Sequence, residues 1–343
     1  MLIYRYFDAT FSKAALLLIF GAISIFGLVS IPATLAAEQT TAPYGTWSSP
    51  VSAAMVADQG GYISEVETAD GKIYWVESKP REEGRNAIVG FSEDAVFDIL
   101  SLPFDARNTV QGYGSGNLLI SGGSIFFPNH EDQRLYRMKV SGEPVPITPE
   151  GPFRYADCAA DQARARLICV GEDHRNPEKI LNTLVSVQMD GEGLVRPIFE
   201  STDFVAAPRI SPDGRKVAFI GWNHPDMPWD ETILWLADME PGGSLSNMRV
   251  VARNASIAEP DWSPGGTLYY VSDETGWWNL YSFDGHATRP VLLMKAEFSR
   301  PAWHLDQSSY AILDDQLILA TVIENAKAHL IRINPRTGDV RAF

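Results

Sequence analysis

The chain repeats one local pattern six times after residue 60, and this repeat constrains the fold more than any other feature. Each copy contains an apolar strand, a tight polar turn and a second apolar strand. The copies begin near Ile63, Gly112, Tyr155, Ala207, Glu259 and Arg300. Their period of roughly 40 to 50 residues is the length of one four-stranded propeller blade. The sequence therefore predicts an all-β protein, a β-propeller of four-stranded blades over residues 63–343.

The fourth copy shows the pattern most clearly, with the turn 211–214 (SPDG) followed by the strand 216–220. The proline presets the first turn dihedral, the aspartate can bond its own backbone, and the glycine accepts the left-handed conformation. The fifth copy repeats this arrangement, with the turn 263–266 (SPGG). Short loops rich in Gly, Pro and Asp separate the copies, which predicts one architectural domain.

Composition and charge narrow the class of protein. The chain has 343 residues, of which 45% are hydrophobic, so it can bury a large core and is expected to be globular. Its formal net charge is -15. Nucleic-acid binding depends on Lys and Arg that neutralise phosphates, so this charge excludes nucleic acid as a principal partner.

The first residues are typical of an export segment. Arg5 and Lys13 precede an apolar run over 14–31, and small residues follow. This arrangement predicts a signal peptide or membrane anchor over 1–37 and an N-terminal extension over 38–62. Cleavage after Ala36 would remove the segment, but the run is also long enough for an uncleaved anchor. In both cases the remainder is expected in the periplasm or outside the cell.

The two cysteines, Cys158 and Cys169, fall within one predicted hairpin. In an oxidising compartment they could form a disulfide across neighbouring strands. The alternative, which we favour from the sequence, is that Cys169 is a small buried hydrophobe inside an apolar strand.

Tryptophans are frequent and are expected mainly to fill the spaces between blades, since a buried ring removes a large apolar area from water. Trp229 and Trp277 are expected exceptions because they lie in loops. Packing is predicted for Trp75, Trp222, Trp235, Trp262, Trp278 and Trp303.

A search for reactive chemistry identifies no catalytic, cofactor-binding or metal-binding residues. The chain has no Gly-x-Ser-x-Gly nucleophile elbow. The glycine-rich stretch 112–116 lacks the lysine of a phosphate-binding loop and is read as a tight turn. His224, Asp226 and Asp230 could form an acid–base or metal cluster, but the two prolines between them favour a rigid structural loop.

Several stretches, read together, resemble the propeller part of the prolyl oligopeptidase (S9) family of serine peptidases, in particular its dipeptidyl aminopeptidase and acylaminoacyl-peptidase branch. The likeness extends from about Pro43 onward. Six segments carry it in order: 42–50 (APYGTWSSP), 82–86 (EEGRN), 132–136 (DQRLY), 154–157 (RYAD), 224–230 (HPDMPWD) and 272–281 (SDETGWWNLY).

The resemblance implies a propeller that caps an α/β-hydrolase domain and admits only short peptides to a catalytic serine. Such propellers usually have seven blades, so the six recognisable copies and the end at Phe343 predict an incomplete seven-bladed ring, truncated before the hydrolase domain. Where relatives commonly have His-Glu-Tyr-Gly-Gly, this chain has QGYGS at 111–115. Gly112 therefore cannot supply the acidic group that would receive a peptide amino terminus.

These observations lead to two functional hypotheses. The first is a non-catalytic, substrate-gating propeller module of an exported S9 peptidase, with a separate α/β-hydrolase domain or peptide substrates as partners. The second is an independent periplasmic scaffold of the TolB or WD40 type that binds another protein. Neither requires a cofactor, and the membrane is involved only through the possible anchor at 14–31.

Overall fold

A computed structural model describes residues 42–57, 60–93, 95–191 and 195–343. The chain divides into two compact units, Met1–Gln59 and Gly60–Phe343. In the first unit, the described part contains one short helix, α1 (Ala53–Ala57). The predicted export segment 1–37 lies outside the described residues. Among those residues, no helix has the length and apolar character needed to cross a bilayer.

The second unit consists of six four-stranded antiparallel sheets, which form the blades of a β-propeller. Blade 1 comprises β1 (Ile63–Ala69), β2 (Lys72–Lys79), β3 (Arg85–Ser92) and β4 (Ala95–Asp98). Blade 2 comprises β5 (Leu119–Ser121), β6 (Ser124–Pro128), β7 (Leu135–Met138) and β8 (Val145–Pro146). Blade 3 comprises β9 (Phe153–Asp161), β10 (Arg166–Asp173), β11 (Leu181–Gln188) and β12 (Arg196–Phe199).

The remaining three blades follow the same order along the chain. Blade 4 comprises β13 (Phe204–Ile210), β14 (Lys216–Trp222), β15 (Thr232–Met239) and β16 (Leu245–Ala255). Blade 5 comprises β17 (Ile257–Trp262), β18 (Leu268–Ser272), β19 (Asn279–Phe283) and β20 (Thr288–Leu292). Blade 6 comprises β21 (Tyr310–Asp314), β22 (Leu317–Glu324), β23 (Lys327–Ile333) and β24 (Val340–Ala342). Two single-turn 3-10 helices, Pro80–Glu82 and Gln162–Arg164, lie in loops.

The predicted turns join the first two strands of their blades. In blade 4 the Gly214 amide donates to the Ser211 carbonyl at 2.8 Å, and Gly214 has a φ of +68°. In blade 5 the Gly266 amide donates to the Ser263 carbonyl at 2.9 Å. These turns confirm the hairpins predicted for both copies. The outer strand of blade 5 lies at Thr288–Leu292.

Apolar side chains fill the spaces between neighbouring blades, because each sheet must bury both faces against another sheet. One cluster joins blades 3 and 4 and includes Ile168 and Phe219. Another joins blades 4 and 5 around Tyr270. Blades 1 and 2 meet around Phe127, and blades 5 and 6 meet around Phe298.

The second strands of the first and last blades have fewer buried side chains than those of the four blades between them. In β6, β10, β14 and β18, every residue or all but one is buried. In β2 and β22, burial alternates, so that only one face of each strand is fully covered. Each sheet in the described residues is built from four consecutive strands, and no described strand of blade 1 pairs with blade 6.

The sequence-based preference for a free Cys169 was wrong, because Cys158 and Cys169 form a disulfide. A β-bulge in β9 shifts its register against β10 between Ile168 and Val170. Two residues of the bulged strand then oppose one residue of its partner, which places Cys158 beside Cys169. Sequence reasoning located the hairpin but could not detect the bulge that sets this register.

Candidate functional site

A cavity of about 970 Å³ lies on the face of the propeller where the innermost strands begin. Its walls come from the segments that precede β5, β13 and β21, from the first halves of β9, β13 and β17, and from the β10–β11 and β14–β15 loops. The volume falls within the range of sites that enclose small molecules or short peptides. The same face receives residues from five blades, so the cavity is a product of the whole ring.

One wall of the cavity is an aromatic cluster from three separate loops, formed by Tyr113, Trp229 and Trp303. The Trp229 and Trp303 rings have centroids 4.5 Å apart, and the Tyr113 and Trp303 rings pack nearly perpendicular, with centroids 5.7 Å apart. Tyr113 is 65% exposed and Trp303 is 51% exposed. Exposed aromatic rings that converge on a concave surface are typical of contact sites for a ligand or a partner.

A second part of the lining contains Phe204 stacked on Trp222, with ring centroids 5.3 Å apart, and the His224 ring packs against Phe204 with centroids 5.0 Å apart. The His224 amide donates to an oxygen of Asp203 at 3.0 Å. Asp230 accepts a hydrogen bond from the Met227 amide at 2.9 Å, and this bond closes the turn. Hydrogen bonds to Asp203 and Asp230 therefore hold this loop, which also lines the cavity.

A buried carboxylate occupies a third wall. Glu172 accepts a hydrogen bond from the Gln111 amide at 2.8 Å, and its other oxygen lies 2.7 Å from Nε2 of His174. The Arg154 guanidinium lies 4.0 Å from Glu172. The Gln111 side chain donates to the Val205 carbonyl at 2.9 Å, which ties blade 4 to the segment before blade 2.

Arg209 of the inner strand β13 bridges two carboxylates of the cavity lining, Asp157 and Asp306. Its Nη1 lies 2.9 Å from Asp157 and its Nη2 lies 2.6 Å from Asp306. Burial opposes the charged form of Arg209, but Asp157 and Asp306 raise its pKa above the ordinary value. Burial also raises the pKa of Asp306 well above its usual range, and the positive charge of Arg209 offsets part of this change.

Further carboxylates lie near Arg209 and its two partners. Burial raises the pKa of Glu67 and of Asp261, while the Arg209 charge acts in the opposite direction for both. Burial likewise raises the pKa of Glu65, whose oxygens accept hydrogen bonds from the Asn117 amide and side chain. Several acidic groups therefore lie around the Arg209 guanidinium and its two partners.

The backbone of the turn at 112–116 adopts a conformation that requires glycine at two positions. Gly114 has a φ of +71°, and a Cβ at this position would lie 2.3 Å from the Asn108 carbonyl oxygen. Gly116 has a φ of +65°, and a Cβ there would lie 2.7 Å from the Asp157 Cα. The Leu305 amide donates to the Gly114 carbonyl at 3.2 Å. Glycine therefore permits a close approach that holds Tyr113 at the cavity beside the loop before blade 6.

The prediction of packing for Trp303 was wrong, because the side chain is half exposed in the aromatic cluster. Trp222 is buried as predicted, and Trp277 is an exposed loop residue as predicted. The repeat period identified the blades, but it contained no signal that three distant loops would meet. In the parts of the chain that the structure describes, no three His, Cys, Asp or Glu side chains are grouped as metal ligands.

Comparison with solved structures shows two similar puromycin-hydrolysing enzymes. A puromycin hydrolase variant in complex with PGG is 31% identical, with a TM-score of 0.81 over 88% of this chain and 50% of the other. A puromycin-hydrolyzing peptidase from Mycobacterium tuberculosis is 32% identical, with a TM-score of 0.80 over 89% of this chain and 50% of the other. The chain therefore spans about half the length of these relatives.

Prolyl oligopeptidase B from Galerina marginata shares the fold, with 10% identity and a TM-score of 0.58 over 83% of this chain and 44% of the other. No protein-family model and no curated protein sequence matches the chain. The six blades and the two relatives above 30% identity lead to the same assignment. This chain corresponds to the propeller part of the prolyl oligopeptidase (S9) family.

Proposed function

We propose that this chain is the non-catalytic, substrate-gating propeller of an S9 serine peptidase and that it receives short peptides in the cavity at the channel mouth. The observation that carries this proposal is the aromatic cluster of Tyr113, Trp229 and Trp303 on the wall of a 970 Å³ cavity. Such a cavity can enclose a few residues of an extended chain but not a folded domain.

The proposed partner is an α/β-hydrolase domain that supplies the catalytic serine. Support comes from the relatives, which are named as hydrolysing enzymes and are about twice as long as the matched region. The exposed aromatic cluster would then lie where peptide passes between the two domains. In this arrangement the propeller contributes binding and size selection, and the chemistry takes place in the partner.

We also propose that the protein works outside the cytoplasm. The apolar run at 14–31 supports export, and the disulfide between Cys158 and Cys169 suits an oxidising compartment.

Peptide reception can be tested by calorimetric titration of the purified chain with short capped peptides that contain phenylalanine. Trp229→Ala and Trp303→Ala are expected to weaken binding by about tenfold, because truncation of a central aromatic contact commonly costs more than 1 kcal/mol. Trp277→Ala is the matched control, since Trp277 is also an exposed tryptophan but does not line the cavity.

Equal affinity in all three variants would show that peptides do not contact this cluster. A separate assay with chromogenic aminoacyl and dipeptidyl substrates tests the absence of catalysis. We expect no turnover by the chain alone. Turnover that a serine-directed inhibitor abolishes would contradict the proposal and would place a nucleophile in this chain.

A further inference from the structure

We infer that the cavity selects short peptides that carry a lysine or arginine side chain over neutral and acidic peptides. This inference rests on the proposed function, because it assigns the class of peptide that the same site receives. Three features of the cavity support it: the charge of its lining, the unpaired carboxylates at its rim and the exposed aromatic rings in the same lining.

The lining is strongly acidic. It contains seven carboxylates but only two side chains with a permanent positive charge, Arg154 and Lys179. The carboxylates are Asp157, Glu172, Glu178, Glu200, Asp203, Glu259 and Asp306. A cleft lined by one sign of charge concentrates its electrostatic field and raises the local concentration of oppositely charged ligands. The formal net charge of -15 adds to this attraction at long range.

Several of the rim carboxylates are available to a ligand. Glu178 and Glu200 are exposed, and neither forms an ion pair within the described residues. One oxygen of Asp203 accepts the His224 amide, while no described cation pairs with this carboxylate. These groups face the cavity with their charge uncompensated, in contrast to Asp157 and Asp306, which share Arg209.

The aromatic cluster lines the same cavity as these carboxylates and favours the same class of ligand. Tyr113 and Trp303 are at least half exposed, so parts of their rings are open to the cavity. A cation above an aromatic face is attracted by the negative potential of the ring, and the long side chains of lysine and arginine can pack their methylene groups against it. An acidic side chain would meet repulsion from the rim and would gain nothing from the rings.

The inference can be tested with three capped peptides that differ only at one residue: Ac-Phe-Lys-Ala-NH2, Ac-Phe-Nle-Ala-NH2 and Ac-Phe-Glu-Ala-NH2. Capping removes the terminal charges, so the central side chain carries the only difference in charge. At low ionic strength, calorimetric titration of the full chain is expected to show about fivefold tighter binding of the lysine peptide than of the norleucine peptide. The glutamate peptide is expected to bind most weakly, and the preference for lysine should decrease with added salt.

The double variant Glu178→Gln/Glu200→Gln is expected to reduce the preference for lysine by about threefold, because two unpaired rim charges are removed. The control is Glu143→Gln/Glu324→Gln, which makes the same change in net charge at two exposed positions outside the cavity. The control should keep the preference, since those charges are screened from the site.

The outcomes separate this inference from the proposed function. Equal affinity for the lysine and norleucine peptides would overturn the charge selectivity and leave peptide reception in place. Equal effects of the two double variants would also overturn it, because the selectivity would then reflect overall charge. If none of the three peptides binds, both the inference and the proposed function are wrong.

Discussion

At the scale of single residues, carboxylates of the inner strands connect neighbouring blades in pairs. Glu65 of blade 1 accepts the Asn117 amide before blade 2, and Asp157 of blade 3 accepts the Ala207 amide of blade 4 at 2.7 Å. Glu259 of blade 5 accepts the Ser309 amide before blade 6 at 2.6 Å. All three carboxylates lie at positions with positive φ, where a bulge in the inner strand directs the side chain toward the next blade.

The clearest test of this connection is Glu259. Its oxygens also accept hydrogen bonds from the hydroxyls of Ser299 and Ser309, both at 2.6 Å. Glu259→Ala would leave these donors without their acceptor, so we expect a loss of about 2 to 3 kcal/mol in the free energy of unfolding, measured with urea. Glu324→Ala, at an exposed strand end, should change it by less than about 0.5 kcal/mol.

The same residue makes a prediction for pH. Burial raises the pKa of Glu259 above its ordinary value, so the folded protein binds this proton more tightly than the unfolded chain does. Stability should therefore fall as pH rises from about 4, the unfolded carboxylate pKa, through the folded pKa. Glu259→Gln removes the titration, so the stability lost between pH 5 and pH 8 should be smaller in this variant than in the wild type. A larger loss in the variant would show that the ionised form is favoured by folding.

At the scale of elements, the hairpin turns determine where each blade begins to fold back. Gly214 has positive φ, and the nearest atom to a Cβ at this position would be 3.7 Å away. A substitution there is therefore strained by the backbone and not by a collision. Gly242 lies in the β15–β16 turn, has no positive φ, and would have no atom within 4 Å of a Cβ.

These two glycines form a matched pair of substitutions. Gly214→Ala should lower the melting temperature and destabilise the protein by about 1 kcal/mol, because alanine disfavours the left-handed conformation. Gly242→Ala should be neutral or slightly stabilising, since it reduces the entropy of the unfolded chain without strain. The prediction fails if both substitutions have the same effect.

The disulfide also acts at the scale of elements. It joins the first two strands of blade 3 across a separation of 11 residues. A cross-link that closes a short loop commonly contributes about 2 to 3 kcal/mol. Cys158→Ala/Cys169→Ala is expected to lose roughly that amount in urea unfolding. Dithiothreitol should destabilise the wild type but not the double variant, and an effect on both would exclude the disulfide as the cause.

At the scale of the whole molecule, the blades differ in how much of their apolar surface is buried. In the second strands of the end blades, β2 and β22, burial alternates and Ile73 is 37% exposed. The second strands of blades 2 to 5 are buried on both faces. Local opening of a strand costs less free energy where less apolar surface is buried. The two end blades are therefore expected to be the least stable part of the ring.

Hydrogen–deuterium exchange followed by mass spectrometry tests this difference. Peptides from β2 and β22 should exchange faster than peptides from β10 and β14 under native conditions. Comparison of central strands with central strands controls for the ordinary fraying of outer strands. Uniform protection across the six blades would indicate that the end blades are covered as well as the others in solution.

The site was less predictable than the fold, and particular residues show why. The stretch 112–116 was predicted to be a tight turn, which the structure confirms. The stretch 224–230 was predicted to be a structural loop, and the structure shows a hydrogen bond from the Met227 amide to Asp230 within it. Nothing in the local sequence indicated that Tyr113, Trp229 and Trp303 would meet, since they lie in three different blades or the loops before them. Likewise, the pairing of Cys158 with Cys169 depends on a β-bulge that the hydrophobic periodicity of the sequence does not reveal.

The sequence by itself determined the number of blades, the positions of the main hairpins and the family resemblance, because strand alternation and turn chemistry act over a few neighbouring residues. The tertiary structure decided the disulfide, the carboxylates that connect blades and the aromatic cavity with its acidic rim. Each of these depends on contacts between residues far apart in the chain, such as Arg209 with Asp306. Such contacts exist only after the ring has brought the blades together.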